Sequence, residues 1–221
     1  MNTQDLERPD HTYGVKMQDT KVIEMFEEAV TEYAGAKYGV AVSSCTNAIF
    51  LSLQYLKYIG EVKDGDTITI PARTFLSVPC QIKLCGLNIE FVDKYWTGLY
   101  QLEPTRVWDC STRFRENMYV GRGALQCLSF QYRKQLKIGR GGMILTNNKK
   151  AARWLKMARI NGRHEGVSQA DEKLEFCGWN MYLTPEQAAR GLTLLGCIPK
   201  RNPDCGSSDT YPCISNQEVF K

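Results

Sequence analysis

The stretch YGVAVSSCTNAIFLSLQYLKYIG, residues 38–60, decides the fold. YGVAV is short and β-branched, which suits a strand. SSCTN is a polar break, and AIFLSLQYLKYIG places its apolar residues at helical intervals. Strand, tight turn and helix follow one another within 23 residues. Upstream, KVIEMFEEAVTEYAG (21–35) carries Val22, Met25, Phe26, Ala29, Val30 and Tyr33 on one helical face and stops at Gly35. Downstream the alternation recurs. TITIP (67–71) reads as a strand, residues 75–85 as a helix and NIEFVD (88–93) as a strand. RVWD (106–109), ALQCLSF (124–130) and GGMILTN (141–147) are further strands, KKAARWLKMARING (149–162) a helix, and LTPEQAARGLTLLG (183–196) a last helix with Pro185 in its first turn. Short apolar strands separated by helices predict an α/β fold of three layers, a mostly parallel sheet flanked by helices. Residues 1–19 and 162–174 are polar and loop-like, and beyond Cys197 the chain turns to Pro, Asp, Ser, Asn and Gly, predicting a tail with little structure of its own.

Composition narrows the function classes. The 221 residues are 43% hydrophobic, enough for one large domain with a sizeable core. No apolar run reaches the roughly 20 residues of a membrane helix, and the polar start MNTQDLERPDH lacks the layout of a signal peptide, so a cytoplasmic protein is expected. The net charge of +4 is modest and dispersed, which argues against nucleic acid and leaves room for an anionic ligand. Nine cysteines are an odd count. Cys80, Cys85, Cys110, Cys127 and Cys177 lie in or beside apolar runs, where reduced cysteine packs as a small hydrophobe. His11 and His164 lack metal-spaced companions, and Cys197, Cys205 and Cys213 are too far apart for ordinary zinc pairs; no metal is expected.

In an open sheet of this kind ligands gather at the carboxyl ends of strands, so polar residues just after each apolar run come first. SSCTN opens a helix, whose unpaired N–H groups and dipole favour an oxyanion; Ser44 or Thr46 could equally be a helix cap alone. Asp109 ends a strand, where it could cap a loop or bind a cationic ring nitrogen. Phe75 is a core aromatic or a plate for a planar ligand. Ser129 ends the run ALQCL, and Lys134 sits in the turn that follows, where a solvated lysine is the ordinary reading.

In order, FEEAVTEYAGAKYGVAVSSCTNAIFLSL, DGDTITIPARTF, VWD, SFQYRKQLKIGRGGMILTN, RINGR and GWNMYLTPEQAARGL closely resemble the DegT/StrS family of pyridoxal 5′-phosphate (PLP)-dependent sugar aminotransferases. The resemblance runs collinearly from about residue 22 to residue 195, and S-F-x-x-x-K before a glycine cluster is its most specific element. It implies a type I PLP-transferase large domain over 21–197, behind an N-terminal arm (1–20), with a tail (198–221) in place of the family's small domain. It implies that Lys134 forms the Schiff base with PLP and later carries a proton, helped by desolvation and by positive charge from Arg133, Lys137 and Arg140. Asp109 would pair with the pyridine nitrogen, Phe75 stack on the ring, and Ser44, Cys45, Thr46 and Ser129 cradle the phosphate. Thr112 stands where relatives have a longer Gln or His beside the ring, and Asn180 matches a residue that reaches the phosphate from the neighbouring subunit of a homodimer.

Three departures accompany the match. Cys45 replaces a glycine, so its Cβ is expected to crowd the phosphate loop. Tyr182 replaces an arginine, and the chain is short. The activity implied is transfer of an amino group from glutamate to a nucleotide-linked keto sugar. Relatives that dehydrate instead carry histidine in place of the lysine, which Lys134 argues against. The competing expectation is a noncatalytic PLP-binding scaffold, motivated by the absent small domain and by Cys45.

Overall fold

The computed structural model describes residues 18–220. Helix α1 is Gln18–Ala34, β1 Tyr38–Val42, α2 Cys45–Tyr58, β2 Thr67–Pro71, α3 Ser77–Leu84, β3 Asn88–Val92, β4 Tyr100–Leu102, β5 Val107–Asp109, β6 Leu125–Ser129, β7 Gly142–Thr146, α4 Lys149–Ala158 and α5 Pro185–Leu195. Of the arm expected over 1–20, residues 18–20 open α1; the remainder lies outside the described residues.

The main sheet has the order β1-β7-β6-β5-β4, and β2 and β3 form a separate parallel pair. Backbone bonds in both directions between Thr69 and Glu103 join the two. The main sheet is mixed rather than mostly parallel: β7 runs antiparallel to both β1 and β6, β4 antiparallel to β5, and β5 parallel to β6. The cause lies in the connections. No helix intervenes between β6 and β7 or between β4 and β5, so the chain turns back beside the strand it has just left, whereas a parallel neighbour needs a long crossover. β4 itself was not anticipated, because YQL is too short to show a periodicity.

Strand alternation builds the three layers. Val40, Val42, Leu125, Cys127 and Ile144 face one apolar cluster, where α2, α3 and α4 pack with Ile49, Leu53, Ile82 and Leu155. Ala41, Leu128, Met143 and Leu145 face the opposite cluster with Phe26 and Val30 of α1 and Ala188 of α5. Each large side chain buried this way contributes roughly 1.5–3 kcal/mol.

A charge network ties the layers together. Glu27 of α1 is buried, accepts from Ala41 N of β1 at 2.8 Å, and pairs with Lys156 at 2.9 Å and with Arg159 beyond the end of α4. Arg159 also donates to Ala41 O at 2.7 Å and to Glu165 at 2.7 Å. The network is closed within the chain, which is how buried charge is tolerated.

The tail does not run free. Asp204 pairs with Arg113, Ile214 N donates to Ala72 O at 2.9 Å, and Ser208, Ile214 and Phe220 are buried. Among the described residues its regular elements are the one-turn 3₁₀ segments Ser208–Thr210 and Glu218–Phe220. The sparse regular structure fits its composition; its firm attachment comes from a few apolar and charged side chains within a polar stretch.

Candidate active site

A cleft of about 370 Å³ opens where β1, β5 and β6 end. Its lining includes Ser44, Cys45, Thr46, Phe75, Asp109, Ser129 and Lys134. Residues from six separate parts of the sequence are thus brought into one cavity by the strand ends, as strand-end geometry leads one to expect.

One side is the start of α2. Ser44 has extended backbone, and its hydroxyl accepts from Asn47 N at 3.1 Å, so it caps the helix. Cys45 and Thr46 follow as the first helical residues, whose N–H groups have no intrahelical acceptor. Thr46 donates its hydroxyl to Ser77 Oγ at 3.0 Å, linking this turn to the start of α3. The loop rests on β7, where Gly142 is required by contact: a Cβ there would lie 2.5 Å from Ser44 C and 2.6 Å from Cys45 N.

Cys45 lines the cleft at this seat. Its thiol is turned inward and donates to Cys127 O at 3.6 Å, leaving the side chain 8% exposed. Burial, then the charge of Asp109, push its pKa well above the ordinary thiol range, so it stays neutral.

Asp109 ends β5 and is 4% exposed. Its carboxylate accepts from Tyr100 OH at 3.0 Å and from Ser111 N at 2.8 Å, and Tyr100 in turn shares a hydrogen bond with Thr74. Burial first, and Asp109 second, hold the Tyr100 pKa well above normal, so its phenol remains the donor.

Lys134 lies in the turn between β6 and β7. Its N–H donates to Gln131 O at 2.9 Å, Gly139 N to Phe130 O at 3.1 Å, and Phe130 N to Gly141 O at 2.9 Å. No ion pair engages Lys134, Asp109, Arg133 or Arg140 among the described residues, although all four line the cleft. Arg133 stands over the Tyr132 ring, 5.3 Å from its centroid, and Arg140 Nε donates to Ser43 O at 3.3 Å.

Two expected contacts are not in the cleft of this chain. Thr112 is 1% exposed, and its hydroxyl lies 3.0 Å from Gly98 O and 3.2 Å from Gly206 O. A buried hydroxyl must find a partner, and these carbonyls take it away from the cavity. Asn180 is exposed and its backbone pairs with Ile160, outside the cleft. Cys177, expected in a packed run, is exposed as well. Among the described residues no group of three or more His, Cys, Asp or Glu gathers as a metal site, and no helix is long and apolar enough to cross a membrane.

The lining also includes residues that sequence reasoning passed over: Ser77, Ser111, Gln131, and from the tail Cys205, Thr210 and Tyr211. Ser77 was legible in principle as a hydroxyl two positions after Phe75, in the first turn of α3. For the tail, the available signal was a handful of apolar residues, Tyr211, Ile214 and Phe220, in otherwise polar sequence.

Comparison with known proteins decides the family. The model of the DegT/DnrJ/EryC1/StrS aminotransferase family matches residues 12–108 and 110–203. The chain belongs to this family. Its cofactor is PLP, and the cleft suits it: an amine, a carboxylate, an aromatic ring and a helix start share one cavity of sufficient size. Spore coat polysaccharide biosynthesis protein SpsC of Bacillus subtilis is 25% identical over 219 residues, covering 77% of this chain and 55% of SpsC. The uncharacterized protein MJ1066 of Methanocaldococcus jannaschii is 22% identical over 215 residues, covering 76% of this chain and 55% of MJ1066. The chain thus spans about 55% of the length of these relatives. Among solved structures, the sugar aminotransferase CalS13 from Micromonospora echinospora superposes with a TM-score of 0.68 at 19% identity, over 79% of this chain and 60% of that one. A GDP-4-keto-6-deoxymannose-3-dehydratase (ColD) variant with bound GDP-perosamine gives 0.67 at 19% identity, over 82% and 62%. These likenesses establish the fold.

Proposed function

We propose that the chain is the cofactor-binding part of a PLP-dependent aminotransferase that takes an amino group from glutamate and passes it to a nucleotide-linked keto sugar. The observation that carries this reading is the meeting of Lys134 and Asp109 in one cleft, beside the start of α2. In this reading residues 21–197 are the PLP-binding domain, and the protein works in the cytoplasm as a homodimer, with Asn180 serving the neighbouring subunit's site.

PLP, when bound, supplies an electron sink that stabilises negative charge at the carbon bearing the amino group. The first turn of α2, with Thr46 and Ser129, holds the phosphate through N–H and hydroxyl donors. Phe75, 55% exposed at the cleft, offers its ring face to a planar ligand. Asp109 would hold the cofactor's ring nitrogen and favour its protonated form, and Tyr100 and Ser111 keep the carboxylate in place. Lys134 would hold the cofactor through its amine and, when free, would serve as the group that carries a proton.

Two comparisons bear on alternatives. ColD is a dehydratase, and dehydrating relatives replace the lysine with histidine, so Lys134 supports amino transfer. A noncatalytic scaffold is the second reading, motivated by Cys45 in the phosphate loop, whose thiol is turned toward Cys127 O. Purified protein should turn yellow with PLP and lose the colour on addition of glutamate as the amine form accumulates. Colour that glutamate leaves untouched would sink amino transfer and favour the scaffold.

A further inference from the structure

The family match stops at residue 203, yet the cleft does not. Cys205, Thr210 and Tyr211 line it from the segment that follows. That segment is fastened along its length. Arg113 grips Asp204 with two nitrogens, Cys205 N donates to Thr112 O at 2.9 Å, and Gly98 N donates to Gly206 O at 3.0 Å. Ser208 N donates to Trp96 O at 3.0 Å, while Trp96 N donates to Ser208 Oγ at 3.1 Å. Tyr211 stacks on Trp96 with centroids 5.7 Å apart and planes at 27°, and meets Phe75 edge-on at 6.4 Å. This also accounts for the buried Thr112: its hydroxyl and carbonyl are the near side of the attachment.

Tyr211 is half-buried, and its hydroxyl makes no hydrogen bond to any described residue, in a cavity whose neighbouring phenol, Tyr100, is fully engaged. Burial first, and the nearby charge of Asp109 next, push the Tyr211 pKa up to about 12, so the hydroxyl is available as a donor. A protonated donor without an acceptor among the described residues, fixed by stacking on a buried tryptophan and facing the cofactor cleft, is placed to serve a ligand.

We propose that residues 204–214 form a fixed wall of the cofactor cleft, added to the family's own lining, and that the Tyr211 hydroxyl is a positioning group that donates a hydrogen bond to bound PLP. The inference rests on the cofactor reading above. It makes the aromatic lining a pair, Phe75 from α3's approach and Tyr211 from the tail.

The test uses the whole chain with PLP as the probe, following uptake by visible absorbance and, separately, alkylation of individual cysteines by N-ethylmaleimide with peptide mass spectrometry. Tyr211→Phe keeps the stack on Trp96 and removes only the hydroxyl; it should weaken PLP binding by about 3- to 10-fold with thermal stability unchanged. Tyr211→Ala should weaken it further and alter tryptophan emission. PLP should slow alkylation of Cys205 and leave Cys197 unaffected. Wild-type affinity in Tyr211→Phe overturns the inference, whatever Tyr211→Ala does, while the cofactor reading stands. A wild-type protein that never develops the visible band overturns the cofactor reading and this inference with it.

Discussion

Two sets of charged side chains in this molecule are treated in opposite ways. Glu27 and Arg159 are buried together between α1, β1 and the end of α4, and every charge there meets another: Lys156 and Glu165 complete the set. Asp109, Lys134, Arg133 and Arg140 share the cleft, and none of them forms an ion pair among the described residues. The first arrangement satisfies its own electrostatics and fastens layers. The second leaves a carboxylate and three cations facing one cavity, an arrangement that gains only when a molecule carrying both signs of charge enters. PLP, with its anionic phosphate and protonatable ring nitrogen, is such a molecule.

Mutations can separate these roles. Lys134→Ala should have the largest effect: no yellow colour with PLP and a loss of turnover of about 10³-fold or more, with the circular dichroism of the folded protein retained. Next comes Arg159→Ala, which leaves Glu27 with Lys156 alone and should cost about 3 kcal/mol or more in urea denaturation. If that variant unfolds like the wild type, the closed network is not what fastens the layers. The third is Asp109→Asn, which keeps one acceptor oxygen where Tyr100 and Ser111 use two, so Ser111 N keeps its acceptor and the Tyr100 hydroxyl turns to Thr74. It should take up PLP and keep its stability while turnover falls by about 10²–10³-fold. Loss of stability instead of turnover would move Asp109 into the scaffold's set of charges.

The layered fold was legible because its signals are local. Apolar alternation in YGVAV and GGMILTN, and helical spacing in residues 21–35 and 149–162, are dictated by which neighbours must be buried. Strand direction is not legible, since it depends on the path of each connection: β5 and β6 are parallel across a long helix-free crossover, whereas β6 and β7 are antiparallel across a helix-free turn. For the site, Lys134, Asp109, Phe75, Ser129 and the α2 start each follow a strand-like segment, yet taken singly they read as solvated, capping or core residues; their roles are what the collinear resemblance implies. Thr112 is shorter than the Gln or His that the resemblance places beside the ring, and which carbonyls its hydroxyl meets instead, Gly98 O and Gly206 O, is not written in its position after Asp109. The tail's sparse regular structure follows from its polar composition, but its attachment does not: that depends on a few residues such as Asp204 and Tyr211 finding Arg113 and Trp96 across long sequence separations.

The turn bearing Lys134 begins at one strand and ends at the next strand of the same sheet, and its internal bonds clamp it at both ends. Such a turn cannot swing as a gate. Whatever distance the amine must travel between one bonding partner and another has to come from rotation within its own four methylene units, so the side chain is the moving part and the backbone beneath it the fixed pivot.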